Sequence, residues 1–260
     1  MPVYALTLAY KGTAYSGWQV QKNATAVQEL VQNAAERVFG YRPDVTGCSR
    51  TDGGVHALAY VCHIESEKEI AAEKLPLALN MYLPEDISVT SARVEKDGFH
   101  ARYSALGKEY LYVIRNSRIK DPFTRGLVHL YPFPINEKEA DARGRAFEGK
   151  HDFRAFMSAG SKIKDTVRTL YYFRVVRRGD YVCIYTAADG FLYNMVRIMV
   201  GTLLKKTDIN GALESCDRKD AGPTAPAEGL YLNRVFYSKE ELDMRIKEMT
   251  ADNIEFKSGY

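Results

Sequence analysis

The stretch GCSRTDGGVHA, residues 47–57, places a carboxylate, Asp52, two residues after a cation, Arg50. A neighbouring arginine favours the ionised form of a carboxyl group, so Asp52 is expected to be a carboxylate at neutral pH. An ionised carboxylate is suited to act as a nucleophile or a base and not as a general acid. The alternative is that Asp52 caps a turn and Arg50 forms a surface pair, since Asp-Gly is a common turn dipeptide.

Other residues with possible chemistry give weaker signals. His56 begins an apolar stretch, where a histidine is more often a hydrogen-bonded structural residue than a catalytic one. The histidines lack the spacing of a metal site, and no second acidic residue lies close to Asp52 in sequence, which disfavours a two-metal nuclease. The G-x-x-x-x-G-K-[ST] phosphate loop does not occur. The sequence therefore predicts neither a metal nor a nucleotide cofactor.

A second cation lies in the apolar stretch FLYNMVRIMVGTLL, residues 191–204, where Arg197 stands between Val196 and Ile198. An arginine in apolar surroundings is costly unless it finds a partner. A carboxylate from elsewhere in the chain would serve, and Asp52 is a candidate. The alternative is that the Arg197 side chain extends to the surface and keeps its charge in water.

Composition bounds the class of protein. The chain has 260 residues, of which 46% are hydrophobic and 27% charged, as is ordinary for a folded protein with a sizeable core. The net charge of +3 is a weak hint of an anionic partner. No run of about 18 apolar residues and no secretory leader is present, so no membrane association is expected. The 4 cysteines have no C-x-x-C spacing, which suits a reducing cytoplasm.

The first part of the chain predicts the order β-α-β-β-α-β. Strands are expected at 3–10, just before the Asp52 motif, at 56–66 and at 86–95, with helices at 25–40 and 67–83. Thr25 is the expected N-cap of the first helix and Gly40 its stop. This order is the ferredoxin-like arrangement, in which the Asp52 motif connects two adjacent central strands.

The second part, from about residue 105, again mixes strands with helices. Strands are expected at 108–117 and 125–133, in a hairpin over 166–189 turning at 178–180, and at 229–238. Helices are expected at 136–149, 191–207 and 239–249. We therefore predict an α+β fold with a largely antiparallel sheet. Residues 1–104 would form one half and residues 105–260 the other, with an active-site cleft between them.

Several motifs together resemble the tRNA pseudouridine synthases of the TruA type. GCSRTDGGVHA is similar to the signature G-R-T-D-x-G-V-H-A, with Ser49 where the family commonly has glycine. Further similarity lies in YKGTAYSGWQVQ, FHARYSALGKEYLY, GKHDFRAF, NMVRIMVGTLL and AGPTAPAEGLYL, which spread along nearly the whole chain. The resemblance implies the pseudouridine synthase fold, built from two ferredoxin-like halves, and an enzyme that needs no cofactor.

The resemblance also implies roles for individual residues. Asp52 would be the essential nucleophile in the conversion of uridine to pseudouridine. Tyr110 would stack on the target uracil, and its hydroxyl would assist proton removal from C5. Arg197 would pair with the aspartate, Arg50 would position the flipped nucleotide, and Leu230 would be an apolar contact near the aspartate.

The RNA is expected to bind basic residues outside the catalytic loop. Candidates are Lys162, Lys164 and Arg168, in the stretch SAGSKIKDTVRTL. The resemblance implies tRNA as substrate, uridines 38 to 40 of the anticodon arm as targets, base flipping, and a homodimer. Two alternatives stay open: a paralogue with the same chemistry on another RNA such as ribosomal RNA, and an RNA-binding protein without catalysis.

Overall fold

The computed structural model describes residues 1–160 and 163–251. Ten strands are assigned within these residues: β1 Val3–Tyr10, β2 Thr46–Gly47, β3 His56–Glu65, β4 Ile87–Glu95, β5 Gly107–Arg115, β6 His129–Leu130, β7 Gly149–Asp152, β8 Val167–Arg178, β9 Tyr181–Ala188 and β10 Leu230–Phe236. The α-helices assigned there are α1 Val27–Phe39, α2 Leu75–Asn80, α3 Glu137–Gly144, α4 Met195–Leu204, α5 Ile209–Ser215 and α6 Lys239–Thr250. The α+β class predicted from the sequence is confirmed.

The chain forms two compact units. The first consists of Met1–Ala105, Tyr110–Phe133 and Pro226–Val235. The second consists of the described residues within Leu106–Glu109, Pro134–Ala225 and Phe236–Tyr260. Two segments that follow residue 105 thus belong to the first unit, because they pack with it although they are distant in sequence. The halves 1–104 and 105–260 expected from chain order remain a prediction.

The first unit contains the predicted β-α-β-β-α-β order, from β1 to β4. Its strands lie in the order β4-β1-β3-β10-β5, and β1 pairs antiparallel with both β3 and β4. With β1 on one edge of β3, two other strands share the opposite edge. The short strand β2 pairs antiparallel with one end of β3, opposite Cys62 and His63, and β10 pairs parallel with the other end, opposite His56 and Ala57. The loop from β2 to β3, residues 48–55, carries Asp52.

Helix α1 supports this sheet through an apolar stripe. Its buried residues recur at helical spacing, namely Val27, Val31, Ala34, Ala35 and Phe39. The helix ends at Gly40 as predicted, because that residue adopts a left-handed conformation with φ of 80° and donates its N–H to the Glu36 carbonyl oxygen. The N-cap is Ala26 and not Thr25, so the predicted cap is wrong by one residue.

The second unit contains the antiparallel strands β9, β8 and β7 and the helices α3 to α6. The predicted hairpin is confirmed, with its turn at Gly179. A cluster of phenylalanine rings forms part of the core, with Phe147 lying 5.1 Å from Phe156 and 5.2 Å from Phe173 between ring centroids. When the short elements β6, β7 and α5 are left out, the chain order from β5 to β10 repeats the β-α-β-β-α-β sequence of the first unit.

Three expected elements have different bounds. The helix expected over 67–83 is wrong in extent, because α2 begins at Leu75 and Pro76 lies in its first turn, where the missing N–H has no partner to lose. The strand expected over 125–133 is reduced to β6, after a short 3-10 turn at Pro122–Thr124. The helix expected over 191–207 starts only at Met195, because Asn194 has a positive φ of 61°.

Candidate active site

The Asp52 loop is held by main-chain hydrogen bonds to the segment that follows β1. The Trp18 amide donates to the Thr51 carbonyl oxygen at 3.2 Å, and the Gly54 amide donates to the Tyr15 carbonyl oxygen at 3.2 Å. Within the loop, the Val55 amide donates to the carbonyl oxygen of Asp52 at 3.1 Å. Asp52 is half-buried and lies in a loop whose backbone is therefore fixed on both sides.

Two glycines in YKGTAYSGW permit this close approach of two backbones. A Cβ on Gly12 would lie 1.9 Å from the Val55 carbonyl oxygen, and one on Gly17 would lie 2.3 Å from the Thr51 carbonyl oxygen. Gly17 also has a φ of +91°, a conformation that L residues rarely adopt. Glycine is therefore required at both positions of the motif, since any side chain at either one would displace the Asp52 loop.

Three aromatic residues lie beneath the loop. The Trp18 ring stacks on Tyr60 at 4.1 Å between centroids, and the Tyr10 ring lies 5.7 Å from Tyr60. The hydroxyl groups of the two tyrosines bond the loop itself. Tyr60 donates to the Ser49 carbonyl oxygen, and the Tyr10 and Thr51 hydroxyls are 2.9 Å apart. Burial raises the pKa of both Tyr10 and Tyr60 well above the usual value, so both hydroxyls remain neutral.

Tyr110 on β5 belongs to the same group of residues. Its side chain is 6% exposed, and burial raises the pKa of its hydroxyl group, with smaller contributions from Cys48 and Asp52. A hydrogen bond from the Ser49 side chain acts in the opposite direction. Tyr110 therefore lies close enough to Asp52 for the two side chains to interact electrostatically. Ser49, which stands where the family commonly has glycine, contributes a hydroxyl group to the site.

His56 anchors the end of the loop and has no free ring nitrogen. Its Nδ1 accepts a hydrogen bond from the Gly12 amide at 2.9 Å, so the neutral ring presents Nε2–H to the Glu228 carbonyl oxygen at 3.2 Å. The ring also stacks on Tyr231 at 4.6 Å, and burial lowers its pKa. These contacts support the structural interpretation of His56.

Leu230 reaches the loop through strand pairing. In the parallel pairing of β10 with β3, Tyr231 lies opposite His56, so Leu230 is at the level of the last loop residue, Val55. Leu230 is buried. Just before it, Gly229 gives space to Tyr112, since a Cβ there would lie 2.7 Å from the ring. This places the expected apolar residue at the end of the Asp52 loop.

Arg197 lies in the second unit, in the first turn of α4, and is half-buried. Its guanidinium donates to the Ala225 carbonyl oxygen and to the Asn194 side-chain oxygen, each at 2.7 Å. Helix α4 packs closely on the same segment, because a Cβ on Gly201 would lie 1.8 Å from the Pro223 carbonyl oxygen. The arginine is therefore oriented by fixed backbone, and its expected pairing with Asp52 remains a prediction.

The expected RNA-binding cations have different surroundings. Arg50 and Lys164 are exposed, whereas Arg168 is half-buried and donates to the Val167 carbonyl oxygen at 2.6 Å. Lys162 lies outside the described residues. The roles of all four residues remain predictions.

Sequence reasoning missed Ser49 as a hydroxyl donor, the aromatic layer of Tyr10, Trp18 and Tyr60, and the cap residue Asn194. Tyr10 and Trp18 lie within YKGTAYSGWQVQ and Asn194 within NMVRIMVGTLL, so their position inside these motifs is the signal that could have indicated them. Among the described residues, no group of three or more His, Cys, Asp or Glu side chains is arranged to hold a metal ion. None of the helices in that part of the chain is long and apolar enough to cross a membrane.

The fold and this loop are those of an RNA-modifying enzyme family. The family model described as tRNA pseudouridine synthase matches residues 7–104 and 144–238, and the chain belongs to this family. The resemblance seen in the sequence motifs is thereby confirmed.

Curated relatives carry the same description over their whole length. The chain is 44% identical over 239 residues to the tRNA pseudouridine synthase A of Thermoanaerobacter sp. (strain X514), covering 89% of this chain and 98% of the relative. It is 43% identical over 241 residues to the enzyme of that name from Ruminiclostridium cellulolyticum, with coverage of 89% and 98%.

A solved structure of a Cbf5-Nop10-Gar1 complex is a far more distant match. It aligns with a TM-score of 0.38 and 12% identity, covering 90% of this chain and 59% of that one. The chain thus spans little more than half of that protein.

Proposed function

We propose that this chain converts uridine to pseudouridine at positions 38, 39 and 40 in the anticodon stem-loop of tRNA. The observation that supports it most directly is the Asp52 loop, whose backbone is bonded to Tyr15 and Trp18 while Asp52 itself is only half-buried. A fixed carboxylate beside a neutral tyrosine hydroxyl suits chemistry at a ribose and its uracil. The family and the named relatives support tRNA as the substrate.

The reaction balances without any co-reactant. The bond from C1′ to N1 breaks, the uracil rotates, and C5 bonds to C1′, while C5 loses a proton and N1 gains one. Attack of Asp52 on C1′ and removal of a sugar proton by Asp52 both require an ionised carboxylate at the ribose. The target nucleotide must leave its stack before C1′ is accessible, so the RNA is flipped at that position.

The other site residues are assigned supporting roles. Tyr110 contacts the uracil, and its raised pKa keeps the hydroxyl protonated, so it acts first as a hydrogen-bond donor. Arg197 pairs with the Asp52 carboxylate and keeps it ionised. Leu230 supplies an apolar wall, and Arg50 positions the flipped nucleotide.

We further propose that Lys162, Lys164 and Arg168 bind RNA phosphates, that the active enzyme is a homodimer, and that it works in the cytoplasm. The sequence resemblance supports these three statements. Light scattering on the purified protein tests the dimer, with a mass of about 59 kDa expected from two chains of 29.4 kDa. A mass of one chain at micromolar concentration would contradict it.

The proposed reaction is tested by mapping pseudouridine chemically after incubation with an unmodified tRNA transcript that carries uridines at 38, 39 and 40. Signal at these positions, unaffected by EDTA, is expected. A ribosomal RNA transcript is included in parallel. Signal there alone would favour the paralogue, and RNA binding with no signal on either transcript would favour a binding protein without catalysis.

A further inference from the structure

The connection between β5 and β6 presents an aromatic ring to solvent. Phe123 is 90% exposed, the highest value for any large apolar side chain among the described residues. Single exposed apolar residues are common on protein surfaces, so the exposure alone does not define a site. Its surroundings, however, are specific in both backbone order and charge.

The turn that carries Phe123 is well ordered. Asp121 caps the turn, since its carboxylate accepts a hydrogen bond from the Phe123 amide at 3.0 Å and also pairs with Arg115. On the far side of the turn, the Gly126 carbonyl oxygen accepts a hydrogen bond from the Thr13 hydroxyl at 2.8 Å. The exposed ring is thus held out on a fixed support.

Two cations lie beside the ring. Phe123, Arg125 and Lys11 line an open surface cavity of about 340 Å³. Within the described part of the chain, no ion pair or side-chain hydrogen bond engages Lys11 or Arg125. The carboxylate in the lining, Asp86, already accepts a hydrogen bond from the Tyr15 hydroxyl. The cavity therefore presents two cations, together with the Asp86 carboxylate, next to an exposed aromatic face.

This cavity is connected to the Asp52 loop through the segment that follows β1. Lys11 and Thr13 face the cavity, whereas the Gly12 amide between them donates to His56 at 2.9 Å. Two residues further on, the Tyr15 carbonyl oxygen accepts from Gly54. An RNA bound at the Asp52 loop would thus extend along the same surface to this cavity.

We propose that Phe123, Lys11 and Arg125 form a second RNA contact, which binds one unpaired nucleotide outside the reacting position. The base stacks on the Phe123 ring, and the adjoining phosphate lies between the two cations. This inference rests on the proposed RNA substrate. A volume of about 340 Å³ is in the range of pockets for small ligands, and stacking combined with phosphate contacts is the usual chemistry of single-stranded RNA binding.

The chemistry of the cavity favours RNA over a protein partner. A protein partner would have to match two cations with carboxylates around a single ring, whereas each nucleotide carries a phosphate and a flat base together. Further cations, Arg118 and Lys120, are exposed on the same connection and add to its positive potential.

The first test is the affinity for an unmodified tRNA transcript. Phe123→Ala is expected to raise Kd about 5- to 150-fold, because base stacking on an aromatic ring is lost. Leu77→Ala is the matched control, since Leu77 is 75% exposed on α2 and is not part of the cavity lining. Arg125→Gln and Lys11→Gln should each reduce the dependence of log Kd on log salt, whereas Lys96→Gln, an exposed lysine elsewhere, should have less effect.

A second test observes the stack itself. The only tryptophan, Trp18, is buried, so an indole introduced by Phe123→Trp gives a separate fluorescence signal. Saturating tRNA should quench this signal and leave that of Leu77→Trp nearly unchanged. Unchanged affinity in Phe123→Ala, or equal quenching at both positions, would overturn the proposal.

The single-turnover rate at saturating tRNA separates this inference from the proposed function. It should stay within about 3-fold of wild type in Phe123→Ala, since the ring acts in binding and not in the reaction. If the wild-type enzyme forms pseudouridine and Phe123→Ala binds tRNA as tightly as wild type, only the second contact is refuted. An inactive wild-type protein whose tRNA affinity still depends on Phe123 would refute only the proposed reaction.

Discussion

The hydroxyl oxygens of Tyr10 and Thr51 lie 2.9 Å apart in the interior of the protein. Thr51 is the residue directly before the candidate nucleophile Asp52. This bond joins the end of β1 to the Asp52 loop, across 41 positions of sequence. Since the neighbouring Tyr60 hydroxyl also bonds the loop, at the Ser49 carbonyl oxygen, the loop is fixed from below on both sides of Arg50.

Removing one hydroxyl tests this support. Tyr10→Phe leaves the buried Thr51 hydroxyl without its partner and should lower the free energy of unfolding by about 1–3 kcal/mol. Urea denaturation gives the value, and Tyr82→Phe, at an exposed position on the surface, serves as control. Equal stability of the two variants would show that the bond does not hold the loop.

Gly17 tests the close approach of the two backbones. Gly17→Ala should lower the free energy of unfolding by at least ~3 kcal/mol, because the new methyl group would meet the Thr51 carbonyl oxygen. Gly40→Ala is a matched control with a similar positive φ but no atom within 4 Å of its Cβ, and it should lose only about 1–2 kcal/mol. If both variants lost the same free energy of unfolding, the whole effect would come from backbone conformation and not from the contact with Thr51.

Stability should fall at alkaline pH because of the buried tyrosines. Burial raises the pKa of Tyr10, Tyr60 and Tyr110 in the folded chain above the unfolded value of 10.0. Above pH 10 the unfolded chain releases protons that the folded chain keeps, so each of these groups lowers stability by about 1.4 kcal/mol per pH unit. Below pH 10 their contribution is constant.

The slope can be assigned by substitution. In denaturation curves between pH 10 and 11, Tyr60→Phe should show a smaller decline in stability than wild type, whereas Tyr82→Phe should match wild type. A decline of the same steepness in Tyr60→Phe would mean that Tyr60 ionises as freely in the folded state as in the unfolded one.

Arg197 tests the proposed pairing with the carboxylate. Arg197→Lys keeps the charge but loses the fork that bonds Ala225 and Asn194, so turnover should fall by about 10²-fold through misplacement of the cation. Arg143→Lys is the matched control, because Arg143 also donates two hydrogen bonds to carbonyl oxygens, those of Leu203 and Thr207. Similar losses of turnover in both variants would indicate a general structural effect.

The sequence predicted most of the elements because their signals are local. Alternating or continuous apolar residues mark β1 and β3, and Gly40 marks the end of α1. The extent of α2 was missed, since a proline within an apolar stretch reads equally as an interruption or as a first turn. Local patterns carry no information on which distant segments share a unit, such as Pro226–Val235 with the first strands.

The candidate site was predicted unevenly for a related reason. Asp52 and Tyr110 stand in recognisable motifs, whereas the hydroxyl contact from Ser49 and the bond between Tyr10 and Thr51 exist only once the strands are paired. Likewise, the reason for Gly12 and Gly17 is a carbonyl oxygen that lies far away in sequence. Motifs thus indicated which residues matter, and the structure supplies what each one contacts.

The most direct measurement compares Asp52→Asn with wild type on an unmodified tRNA transcript, recording both Kd and pseudouridine formed at positions 38 to 40. The substitution keeps the shape of the side chain and removes its charge. Turnover should fall below detection while Kd changes by less than about 5-fold, and Asp44→Asn, an exposed control, should leave both unchanged. Pseudouridine formed by Asp52→Asn at the wild-type rate would contradict the assignment of Asp52 as the catalytic carboxylate.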